Sequence, residues 1–217
     1  MSCQPLSAPA GEPASPLAGQ LLDWAGAALA ALVQAREELD RINLFEIPDG
    51  DTGANLVRTL GYGCSAIANM PSGLPATQMC ADFATALWRN ASGCSGLILA
   101  SALKPLLWAF ADRGCIDADG LVDGLEAAAG AAAAAVARPV RGTMVTVFEE
   151  AARAARAARA ADRALPAIAA AVAAAVRSAV QQSQTQIPEL ARAGVVDAGA
   201  LGLSLILQAL CAVAAKG

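Results

Sequence analysis

Apolar side chains return at Leu21, Leu22, Ala25, Leu29, Leu32, Val33 and Leu39, the spacing of one helix face running from Leu17 to Arg41. The same pattern predicts helices over about 54–69, 77–89, 97–112, 119–137, 144–161 and 165–184, a short one over 188–192, and a final one after Gly199. Thr77, Thr143 and the Asp119-Gly120 pair are placed to cap three of them, and Pro105 is placed to kink a fourth. Residues 1–16, dense in Pro and Ser, predict a disordered tail. Residues 17–217 predict one domain of seven or eight helices joined by short loops.

Composition supports the periodicity. The 217 residues are 56 % hydrophobic, but only 4 % aromatic, and alanine supplies much of the remainder. Alanine favours helix and the β-branched runs of sheets are scarce, so the expected class is all-α. The alanine-rich stretches 127–137 and 151–175 read as closely packed helices. Ala198 to Ala215 carries no charge, yet its Gly, Ala, Ser and Gln content suits a buried core helix better than a membrane span.

A net charge of −4 and a pI near 4.8 exclude a global positive field for nucleic acid. There is no histidine, which removes the commonest general base and zinc ligand. Six cysteines without a C-x-x-C pair, and no evident signal peptide, predict reduced thiols in a cytoplasmic protein.

Four interruptions carry candidate chemistry. Within Asn43–Asn55, Asp49 and Asp51 flank Gly50 in a turn introduced by Pro48, just before a helix start at Thr52-Gly53. Such a turn either caps the helix or brings two hard oxygen ligands to one cation. Ser92-Gly93-Cys94-Ser95-Gly96 precedes an apolar helix, where hydroxyls and free N–H groups suit phosphate, although the P-loop order and its Lys are missing. Arg141-Gly-Thr143-Met144 and Gly194 to Gly202, with Asp197, are the other two. Arg153, Arg156, Arg159 and Arg163 form a basic stripe, either a solvated face or a docking surface for an acidic partner.

In order, P-D-G-D-T-G-x-N, S-G-x-S-G, G-T-M-x-T and G-V-V-D-A-G-x-x-G resemble the nucleotide-binding domain of the dihydroxyacetone kinase superfamily. Asn43–Asn55 is most similar to the amino-terminal domain of the fatty-acid kinase A subunit. Asp197-Ala-Gly-Ala200 is similar to the Asp-Pro-Gly-Ala of the dihydroxyacetone kinase L subunit. The resemblance implies a barrel of about eight antiparallel amphipathic helices holding ATP or ADP and two Mg²⁺ ions at one end. By position it makes Asp49 and Asp51 the metal ligands and catalytic acids, with Asn43 a weaker ligand. It sets Thr52, Asn55, Gly93, Cys94, Ser95 and Gly96 at the phosphates, and Thr143, Met144, Asp197 and Gly199 toward the adenosine. Leu44 stands where the L subunit has a third metal-binding acid, and Thr52 where it has a histidine.

The implied protein is a kinase subunit whose substrate is held by a partner, either a lipid-binding protein carrying a fatty acid or a subunit carrying a short ketose. Nucleic acid and stable membrane insertion are not expected, and a homodimer is compatible with the pattern. The alternative is a non-catalytic, nucleotide-binding regulatory or interaction module.

Overall fold

A computed structural model describes residues 16–68, 70–71 and 74–216, and among them the regular structure is helical, with no strand. The expected tail lies outside the described residues except for Pro16, which opens the first helix. Asn69, Ser72 and Gly73, at the break after the second helix, also lie outside them. The elements are α1 (Pro16–Arg41), α2 (Thr52–Ala68), α3 (Ala76–Arg89), α4 (Gly93–Ala111), α5 (Ala118–Ala134), α6 (Met144–Ala160), α7 (Leu165–Gln186), α8 (Pro188–Ala193) and α9 (Ala198–Ala214).

Each long helix packs on the next, from α1 through α7; α9 follows α7 and returns to α1, while short α8 rests on α7. Eight long helices therefore form a closed ring. Trp24 of α1 seals the closure by donating its indole N–H to the Ile206 carbonyl of α9 at 3.0 Å. Its ring also meets Phe83 and Phe110 edge-on, at centroid separations of 6.4 and 6.5 Å, tying α3 and α4 to the same core. Ala100 and Ala102 of α4, Ala128 and Ala132 of α5, and Ala151 and Ala155 of α6 are fully buried. Small side chains let these helices approach closely without voids, so the alanine-rich stretches are core rather than linker.

Several local expectations change. Pro75, not Thr77, is the N-cap of α3, and no side chain caps that helix. Asp117, not Asp119, caps α5, accepting from Gly120 N–H at 2.7 Å. Thr143 precedes α6, but its hydroxyl donates to the Val140 carbonyl at 2.8 Å instead of capping the helix. Pro105 sits inside α4 without ending it. The basic stripe pairs within the chain, Arg153 with Glu150 on α6, and Arg156 and Arg159 with Glu126 and Asp119 on α5. These exposed pairs contribute little individually, but they occupy three of the four arginines expected to meet an acidic partner. The uncharged final helix is core, with Leu203, Ile206, Leu207 and Leu210 buried. By length and composition alone α1 and α4 are apolar enough to cross a membrane; here both are staves of the ring.

Short connections between neighbouring helices make the chain run up and down. The connections α1–α2, α3–α4, α5–α6 and α7–α9 consequently emerge at one end of the barrel. They are the four interruptions singled out in the sequence.

Candidate functional site

At that end the four loops enclose a cavity of about 250 Å³. Asn43, Asp49, Asp51, Thr52 and Asn55 line it from the first loop, and Gly93, Cys94 and Ser95 from the second. Thr143 and Met144 line it from the third, Asp197 and Gly199 from the fourth. Gly96 does not reach the cavity; it lies one turn into α4, packed on Thr59. Burial marks the same place. Asn43, Asn55, Ser95 and Asp197 are half of the eight buried polar residues described, and a buried polar group persists only where hydrogen bonds compensate it.

Asn43 builds the acidic turn. Its Oδ1 accepts from Asp51 N–H at 3.2 Å, from Thr52 N–H at 3.0 Å and from the Thr52 hydroxyl at 2.8 Å. Its Nδ2 donates to the Ile47 carbonyl at 3.1 Å. With three donors already on that oxygen, Asn43 shapes the turn that presents Asp49 and Asp51 rather than offering a free ligand. Asp40, which drew no attention in the sequence, braces the turn from α1 by accepting from Ala54 N–H at 3.0 Å.

Asn55 joins the first loop to the second. Its Nδ2 donates to Asp51 Oδ1 at 2.7 Å, and its Oδ1 accepts from the Ser92 hydroxyl at 2.8 Å. Gly93 follows at φ +62°, and a Cβ there would stand 2.3 Å from Asn55 Nδ2. Only glycine satisfies both the left-handed backbone and this approach. The bracing starts α4 at Gly93, a full turn before the expected Leu97. The first intrahelical bond is Gly96 N–H to the Ser92 carbonyl at 3.0 Å. The N–H groups of Gly93, Cys94 and Ser95 therefore form the open first turn, the positive end of the helix dipole. A thiol at a helix start is usually acidified, but burial, followed by the negative charge of Glu46, pushes the Cys94 thiol up.

Ile98, Val136, Val140 and Met144 give the cavity an apolar wall. A Cβ on Gly199 would meet Met144 Cγ at 2.9 Å, so the third and fourth loops touch. Asp197 caps α9, accepting from Ala200 N–H at 2.7 Å, while its own N–H donates to the buried Ser183 hydroxyl at 2.9 Å. Burial raises its carboxyl from 3.8 to about 6, against the opposing bonds from Ala200 and Gly199. A carboxyl whose folded pKa exceeds its unfolded pKa resists ionisation in the fold. Its charge costs stability above pH about 6, and the cost fades as pH falls through about 6 toward 3.8. Asp197→Asn keeps a capping oxygen and removes the charge, so it stabilises the domain at pH 8 by about 1–3 kcal/mol. Urea titrations of both proteins at pH 8 and at pH 4 check this, and the gain disappears at the lower pH.

Glu46, which the family resemblance offers in place of the third acid missing at Leu44, also lines the cavity; Phe45, Ile47 and Arg138 line it too and had no assigned role in the sequence. Their loop positions lack periodicity, so only the three-dimensional contacts reveal them. Among the described residues no three Asp, Glu, Cys or His side chains form a metal-sized group. Asp49 and Asp51 line the cavity as a pair of carboxylates.

The sequence model of the DAK2 domain matches residues 46–212. The chain belongs to the DAK2 domain family. Among solved structures, this DAK2 domain is similar in fold to the dihydroxyacetone kinase from C. freundii in complex with AMP-PNP and Mg²⁺. The TM-score is 0.63 at 18 % identity, covering 98 % of this chain and 37 % of that one. The native form of the same kinase gives 0.58 at 18 % identity, over 98 % and 38 %. At such identity the likeness is one of fold, and the chain spans less than two-fifths of the kinase's length. No curated protein matches it.

Proposed function

We propose that this DAK2 domain binds ATP or ADP with Mg²⁺ and is the nucleotide-binding subunit of a kinase whose acceptor is presented by a partner protein. One observation carries the reading: four loops spread from residue 43 to residue 199 bring two carboxylates, an open helix N-terminus and an apolar wall to one cavity. The solved dihydroxyacetone kinase with AMP-PNP and Mg²⁺ supports it through the shared fold.

The donor set fits the group. Asp49 and Asp51 supply hard, anionic oxygens, and the Thr52 hydroxyl lies beside them. Bound Mg²⁺, two ions by family resemblance, would neutralise phosphate charge and polarise the terminal phosphorus–oxygen bonds. The open N–H groups at Gly93, Cys94 and Ser95 are placed to donate to phosphate oxygens, and Ile98 and Met144 suit the face of a purine. Phosphoryl transfer asks the protein mainly for positioning and charge neutralisation, which these residues provide without a histidine.

The partner carries the acceptor in this reading, either a fatty acid in a lipid-binding protein or a short ketose in its own subunit. The acidic-turn pattern favours the fatty-acid kinase type. A cytoplasmic setting with reduced thiols fits five free cysteines among the described residues. A homodimer stays a proposal beside it. Leu44 at the third-acid position favours a second reading, a nucleotide-loaded interaction module without turnover. ATP consumption distinguishes the two. The kinase reading predicts consumption that depends on a captured acceptor-bearing protein and stops in EDTA. A chain that binds Mg-ADP yet consumes no ATP with the partners it captures is the interaction module.

A further inference from the structure

Four carboxylates line the cavity, from Glu46, Asp49, Asp51 and Asp197, and one cationic side chain, Arg138. Its place follows from the third loop. Val136, Arg138 and Val140 line the cavity while Ala137, Pro139 and Arg141 do not. Residues 137 and 138 form a bend before Pro139, which disfavours helix at the residue before it. Arg138 thus stands, exposed, between two apolar residues of the cavity wall.

The arginine is also uncommitted. Arg36, Arg41, Arg113, Arg153, Arg156, Arg159 and Arg192 each form an ion pair within the chain; among the described residues Arg58, Arg89, Arg138, Arg141, Arg163 and Arg177 form none, and of these Arg138 lines the cavity. A guanidinium free of internal partners, in a cavity otherwise rich in carboxylates, is set to meet an anionic ligand. Resting on the nucleotide reading, we infer that Arg138 binds a phosphate of the nucleotide and sets the preference for phosphorylated nucleotides over adenosine. The acidic pair can act on the phosphates only through a cation, whereas Arg138 acts directly. Its planar fork can span two non-bridging oxygens, which a Lys at the same position cannot do.

The test is calorimetric titration of adenosine, AMP and ADP, each with Mg²⁺, into the wild type, Arg138→Gln and Arg138→Lys. Equal melting temperatures check that all three fold. Arg138→Gln should weaken ADP by roughly 10- to 100-fold, the range for loss of a charge-assisted contact. Adenosine should change by less than about threefold, and Arg138→Lys should restore part of the ADP affinity. The salt dependence of ADP binding should flatten in Arg138→Gln. Equal weakening of adenosine and ADP would show that Arg138 only packs the wall, and no weakening of ADP would remove it from the site; either result overturns the assignment while the nucleotide reading stands. A wild type that binds none of the three removes both.

Discussion

Asp49→Asn/Asp51→Asn should raise the Kd for Mg-ADP by at least about 100-fold, since even outer-shell losses at metal sites cost 10- to 100-fold. The substitution is chosen to keep the turn. Asp51 Oδ1 accepts from Asn55 Nδ2 at 2.7 Å, and an Asn oxygen can accept the same bond. The Asn43 bracket uses the backbone N–H groups of residues 51 and 52, which the change does not touch. Two like charges in one turn repel each other without a cation, so the ligand-free double variant should melt within about 2 °C of wild type. Calorimetry gives the affinity and a thermal melt the stability. A full loss of binding with unchanged melting is the signature of lost ligands; lost binding with a large melting drop points to a collapsed turn.

Gly93→Ala has the second large effect, on stability and binding together. The position holds φ +62°, where an L-residue costs about 1–2 kcal/mol, and its new Cβ would lie 2.3 Å from Asn55 Nδ2. Asn55 must yield, breaking its bonds to Asp51 and Ser92 and so the link between the first two loops. Each broken, part-buried bond adds about 1 kcal/mol, for a total of about 3–4 kcal/mol and a fall in melting temperature of roughly 6–12 °C. Mg-ADP binding should fall with it, because α4 loses the anchor of its open first turn. Asn55→Ala separates the two causes: it loosens the loops without the backbone penalty and should recover some of the stability in combination with Gly93→Ala.

The helices were legible because their apolar spacing is a one-dimensional signal. The run from Leu21 to Leu39 fixed α1, and the alanine-rich stretches were readable as helix from propensity alone. The convergence of the four loops was not in the spacing. It follows from the closure of α9 on α1 around Trp24, a contact 182 residues apart in sequence. Local chemistry misled where a tertiary partner decided the outcome. Gly93 to Gly96 reads as loop because glycine disfavours helix, yet Asn55, Ser92 and Thr59 brace it into the first turn of α4. Thr143 has the composition of a cap, but the Val140 carbonyl takes its hydroxyl. Arg138 gave no sequence signal, since an arginine before a proline in a loop is ordinary until its neighbours are seen to line a cavity.

The central claim is that the barrel end holds a Mg-dependent nucleotide site, and titration of ADP into the wild-type domain with Mg²⁺ and then with EDTA tests it most directly. The predicted result is one ADP per chain in Mg²⁺, with affinity at least about tenfold weaker in EDTA, as expected when the two carboxylates must face the phosphates without a cation. No binding of ADP in Mg²⁺, or an affinity indifferent to the metal, would contradict it.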